Sequence, residues 1–224
     1  MSRRMLIAAA FAGAISAAPA SAQTPPSAAE VAGYRGLHAA AAAGDVATIR
    51  RLAAAHEGLD ARDGNGRTPL HVAAFRGQAE TARALIAAGA NPGLLDDQRY
   101  DAVTIAAVRD DVPMVKTLLA SGASTKSITS RYDGTALIAA AHLGHEGVVA
   151  ELARAGAPLD HVNNLGWTAL MEAVVLGDGG PRHVETVRAL LAAGADRGIP
   201  DRQGISPLQH AEARGYRAMV ELLK

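Results

Sequence analysis

Apolar positions along this 224-residue chain fall into short clusters that repeat, each broken by a glycine and a few polar residues. The segments RTPLHVAAFRGQAETARALIAAGAN, GTALIAAAHLGHEGVVAELARAGAP and WTALMEAVVLGDGGPRHVETVRALLAAGAD run in the same register. Leu37, Leu70, Val103, Leu137, Leu170 and Leu208 hold one equivalent position, at successive spacings of 33, 33, 34, 33 and 38 residues. Self-similarity at this period marks a stacked array, in which no unit can bury its apolar face alone. The chain reads as about six units of two short helices, over residues 30–62, 63–95, 96–128, 129–162, 163–200 and 201–224.

The polar letters between the clusters are helix signals. Thr68 is placed to cap a helix whose first residue is Pro69, where the missing N–H costs nothing, and Leu70 opens the apolar face. His71 stands three residues after that cap, where a side chain reaches back to the cap's backbone; Ser206-Pro207-Leu208-Gln209 repeats the device with glutamine. His38 holds the position equivalent to His71. Ala73-Ala74, Ala106-Ala107 and Ala140-Ala141 keep the first helix of each unit slim enough for close stacking. Gly44, Gly77, Gly144, Gly177 and Gly215 fall between paired helices, while Asp110 and His56 stand where glycine is the rule. The first unit lacks a cap before Leu37, and the third reads Asp-Ala-Val-Thr where Thr-Pro-Leu-His would stand, so its helix start is the least defined. In the fifth, GDGGPRH at 177–183 adds five residues between the helices and is expected to form a surface loop.

The period, Thr-Pro-Leu-His at 68–71 and Leu-Leu-x-x-Gly-Ala at 190–195 resemble the ankyrin repeat, and the resemblance covers residues 30–224. It implies an all-α solenoid of helix-turn-helix units joined by β-hairpin-like loops. It also implies a protein–protein interaction module without catalytic activity, whose partner lies on the concave surface of hairpin tips and first helices. Carried over by position, the candidate contact residues are Tyr34, Arg67, Phe75, Arg76, Tyr100, Arg109, Tyr132, Trp167 and Arg214. Five of the six aromatic residues after position 22 fall in this set, all but Tyr216, and tyrosine, tryptophan and arginine dominate interface energetics. The arginines point to a partner protein with an acidic or mixed polar surface. Alternatives are an exported effector acting on a host or neighbouring cell, and a glycan or small-molecule binder stacking sugar rings on Tyr100, Tyr132 and Trp167.

Composition adds a compartment. Residues 1–22 have Arg3 and Arg4, an apolar run from Met5 to about Ile15, and Ala20-Ser21-Ala22, which together read as a signal peptide with the mature chain beginning at Gln23. The product is expected in the periplasm, or alternatively secreted, with residues 23–29 as a flexible leader. Loss of Arg3 and Arg4 leaves 20 basic against 22 acidic residues, which offers no general attraction for nucleic acid or a membrane surface. Membrane insertion is not expected, and a monomer is. The chain contains no cysteine, so packing rather than disulfides stabilises it. No phosphate loop, His-Glu-x-x-His, calcium loop or nucleophile elbow appears, and no cofactor is implied. His142, His145 and Glu146 are ligands of the right type for zinc but too few to define a site. His161, His183 and His210 have no evident partner and are expected to be exposed.

Overall fold

The computed structural model describes residues 23–55 and 58–224; the expected signal segment 1–22 and the substitution at His56 lie outside them. A short helix α1 (Ala28–Gly33) precedes six helix pairs: α2 (Gly36–Ala43) with α3 (Val46–Ala53), α4 (Pro69–Arg76) with α5 (Ala79–Ala87), α6 (Ala102–Val108) with α7 (Val112–Ala120), α8 (Ala136–His142) with α9 (Glu146–Arg154), α10 (Ala169–Val175) with α11 (Pro181–Ala192), and α12 (Pro207–Arg214) with α13 (Arg217–Leu223). The first helices stack in the order α2, α4, α6, α8, α10, α12, and the second helices form a parallel layer from α3 to α13. Among the described residues the only strand-like pairing is one antiparallel bridge, Thr129 to Gly134.

The expected helix starts are present. Thr68, Thr135, Thr168 and Ser206 cap α4, α8, α10 and α12, and Thr68–His71 and Ser206–Gln209 are reciprocal capping boxes. Asp101 defines the third repeat, accepting from the Thr104 amide as threonine does elsewhere. In the first unit Arg35 supplies no side-chain cap to α2. Instead α1, capped by its own Ser27–Glu30 box, takes the place of a hairpin at this end of the stack.

The interior is small-residue packing. Ala73, Ala74, Ala106, Ala107, Ala140 and Ala141 are fully buried between layers, and Ile49, Leu85, Leu118, Leu152 and Leu190 fill the space beneath the second helices. Asp110 has φ 57°, the left-handed turn that Gly44, Gly77, Gly144 and Gly215 make in the first, second, fourth and sixth units. Only part of the 177–183 insertion is a loop: Pro181 starts α11, so the segment adds a turn to a 12-residue helix. Its remainder packs on the last repeat, with the Tyr216 hydroxyl donating to the Gly177 carbonyl at 3.0 Å.

The expected flexible leader divides into two attached parts. Ser27 belongs to the α1 cap, while the Thr24 amide donates to Gln98 Oε1 at 3.0 Å and its carbonyl accepts from Arg67 Nη1 at 3.3 Å. Residues 23–26 therefore run across the hairpin tips.

Candidate functional site

Each concave tip is shaped by a side chain near the base of its hairpin. Asp63, Asp96, Asn163 and Asp201 stand seven residues ahead of Leu70, Val103, Leu170 and Leu208. In each, Oδ1 accepts from the backbone N–H groups two and four residues on, at 2.9–3.0 Å. In the fourth repeat Ser130 Oγ accepts from the Tyr132 amide at 3.2 Å. These side-chain turns fix the backbone that carries Arg67, Tyr100, Tyr132 and Trp167.

In Asp63, Asn163 and Asp201 the second polar atom of the turn residue sets the chemistry next to it. Asp63 Oδ2 accepts from the Tyr34 hydroxyl at 2.6 Å and from Arg67 Nε at 2.8 Å, and Arg67 Nη2 also pairs with Glu30. Burial works to raise the Asp63 pKa, but the bonds from Tyr34, the Asn65 and Arg67 amides and the Arg67 guanidinium outweigh it and hold the carboxyl at about 2. Burial and the Asp63 contact push the Tyr34 hydroxyl above its ordinary range. Asp201 Oδ2 lies 2.7 Å from His210 Nε2.

Arg67 and Phe75 are not where an exposed stripe requires them. Arg67 is 2% exposed because its acidic partners Glu30 and Asp63 enclose it. Phe75 is 4% exposed: it belongs to the buried core on α4, the helix that packs between α2 and α6. Tyr34 is half-buried, with its ring 5.3 Å from His38 and its hydroxyl committed to Asp63. Tyr100, Tyr132 and Trp167 are half-buried at their tips; Arg76, Arg109 and Arg214 are exposed.

Tyr100 and Tyr132 also line a cleft of about 180 Å³ between the third, fourth and fifth repeats, together with Thr104, Thr129, His142 and Glu172. Glu172 is buried, and its carboxylate accepts from Asn163 Nδ2 at 2.8 Å and lies 3.1 Å from His142 Nδ1. Sequence reasoning passed over this acid. The signal was present, since the equivalent positions in the first four units are Ala39, Val72, Ile105 and Ala139.

The histidines are mostly clips between neighbouring repeats. His71 Nδ1 accepts from the Thr68 amide at 3.0 Å, so the proton is on Nε2, which donates to the Tyr100 carbonyl at 3.0 Å. Burial holds the His71 pKa below its usual value. His38 makes the same reach to the Arg67 carbonyl at 2.9 Å. His161 and His183, expected to be uninvolved, bond the carbonyls of Asp133 at 2.7 Å and His142 at 3.0 Å. His142 and His145 are not brought together: His142 faces Glu172, whereas His145 is buried with Nδ1 on the Ala107 carbonyl at 2.9 Å, and Glu146 is exposed. Among the described residues no group of three or more His, Cys, Asp or Glu side chains could hold a metal ion.

Comparison with known proteins agrees with this architecture. The ankyrin-repeat family model (three copies) matches residues 6–96, 37–129 and 103–201. The ankyrin repeat protein YahD of Escherichia coli K12 is 38% identical over 95 residues, 42% of this chain; the match spans about half, 47%, of YahD. A solved ankyrin repeat domain from Acinetobacter baumannii AYE superposes with a TM-score of 0.78 at 43% identity, covering 84% of this chain and 95% of that one. The ankyrin repeat domain of Bcl-3, a member of the IkappaB family, gives 0.77 at 29% identity over 85% of each chain. With a recurrent 33-residue unit, capped first helices, side-chain-braced tips and these matches in agreement, the chain belongs to the ankyrin repeat family.

Proposed function

We propose that this protein is a non-catalytic binding module whose concave face holds a partner protein of acidic or mixed polar surface. Ankyrin repeats generally mediate protein–protein interaction and are generally without catalytic activity. The observation that carries the reading is the set of braced tips, which presents Tyr100, Tyr132 and Trp167 half-buried beside exposed Arg76, Arg109 and Arg214. A preorganised surface loses little conformational entropy on binding, so aromatic and arginine anchors convert contact into affinity. Tyr34, Arg67 and Phe75 support that surface from inside it.

The expected signal segment 1–22 supports action outside the cytoplasm, in the periplasm. Affinity capture from the periplasmic fraction, wild type beside a Tyr100→Ala/Trp167→Ala variant, tests both points. A partner retained by wild type and weakened at least tenfold by the double variant is expected; equal retention overturns the concave assignment. Recovery of the chain only in the cytoplasmic fraction overturns the location.

A further inference from the structure

The concave groove already holds a peptide segment. Gln23 lines the Glu172 cleft and is 9% exposed, with neither its side-chain oxygen nor its nitrogen bonded to a partner among the described residues. A buried amide without partners costs free energy, and the cleft around it is rich in hydrogen-bonding groups: the Glu172 carboxylate and the hydroxyls of Thr104, Thr129, Ser130 and Tyr132. The next residue makes the two main-chain bonds an extended ligand would make, Thr24 N–H to Gln98 and Thr24 C=O from Arg67. Pro25 and Pro26 follow, with no N–H to satisfy and with φ already restricted, which lowers the cost of lying extended.

We propose that residues 23–26 are a built-in ligand of the concave groove, and that an extended peptide presenting a primary amide or similar hydrogen-bond donor to the Glu172 cleft exchanges with them. This rests on the concave face being the binding surface, and it adds a regulation: a partner that reaches the middle repeats must first displace the chain's own segment. A tether this short holds the segment at an effective concentration in the millimolar range, so it competes with weak ligands and yields to strong ones. The donor preference follows from the cleft, where a buried carboxylate is held by Asn163 and His142 with no lysine or arginine among the lining residues.

The test uses the full chain with Gln23→Gly, Thr24→Gly, Pro25→Gly and Pro26→Gly, which leaves the Ser27 cap of α1 in place. The probe is an acetylated, amidated peptide of sequence Gln-Thr-Pro-Pro-Ser, followed by titration calorimetry. The glycine variant is expected to bind the peptide at least tenfold more tightly than wild type does. Glu172→Gln in that background, with circular dichroism to verify folding, is expected to weaken the peptide at least fivefold. Equal binding to wild type and glycine variant, or binding to neither at millimolar peptide, overturns the built-in ligand; an unchanged affinity in Glu172→Gln overturns its placement in the cleft. A partner protein captured equally by wild type and glycine variant, with no peptide binding, would leave the concave reading standing and sink this one alone.

Discussion

Arg67 shows how a residue's letter and its role part company. In sequence it is an arginine before a helix cap, free to point at a partner; in the fold Glu30 and Asp63 take all of its charge. Asp63 is four residues away and could have been suspected, but Glu30 is 37 residues earlier, on a helix the repeat pattern does not contain. His71 was legible for the opposite reason, since its partner Thr68 is local, although its second bond to the Tyr100 carbonyl was not. The network has a measurable pH signature. Asp63 has a folded pKa of about 2 against an ordinary value of 3.8, so it stabilises the fold fully above about pH 4 and loses that contribution as pH falls toward 2. Asp63→Asn keeps a turn-forming oxygen but leaves the buried guanidinium with one anion, an expected cost of about 3 kcal/mol at neutral pH. Urea unfolding at a series of pH values should show the gap between wild type and variant shrinking from pH 5 to pH 2; a constant gap would show that the Asp63 charge contributes nothing.

Helices were easier to read than the segments joining them. Caps are local and recur, so the first helices of repeats two, four, five and six could be placed from sequence, while the third, whose start was the least defined, is capped by Asp101, which shows that capping needs a side-chain acceptor rather than threonine itself. The insertion at 177–183 looked like a loop because glycine and proline are loop letters, yet proline is also at home in the first turn of a helix, and Pro181 stands there. Gly177 is required by space: a Cβ there would lie 2.2 Å from the Ala173 carbonyl oxygen and 2.8 Å from the His183 ring. Gly215 holds the equivalent position in the last repeat but with a left-handed φ of 70° and nothing within 4 Å of an added Cβ, so a side chain meets only the left-handed penalty. Gly177→Ala is therefore expected to destabilise by about 3 kcal/mol and Gly215→Ala by about 1 kcal/mol. Thermal or urea denaturation that ranked the two in reverse order would contradict the close packing of the insertion.

At the scale of the whole molecule, stability is carried mainly by contacts within and between neighbouring repeats, because each first helix packs on its own second helix and on the first helices of the adjacent repeats. The period made this architecture visible in the sequence, and the concave cleft was hidden because it is assembled from residues as far apart as Gln23, Tyr100 and Glu172. A linear array responds to damage according to position. Ile49, buried in the first pair, has stabilised neighbours on one side; Leu137, buried in α8, has repeats on both. Either change to alanine should cost about 2–5 kcal/mol locally, but the Ile49→Ala end can fray while the remainder stays folded, whereas Leu137→Ala weakens the contacts that couple the two halves. Trp167, the single tryptophan, reports on the fifth repeat, and far-ultraviolet circular dichroism reports on all helices. In Ile49→Ala, urea should diminish the dichroism signal before the tryptophan fluorescence changes, giving two separated midpoints; in the wild type the midpoints should coincide. Coincident transitions in Ile49→Ala would mean that the first repeat is locked to the rest more strongly than nearest-neighbour packing provides, with the Glu30–Arg67–Asp63 network as the structural candidate for that lock.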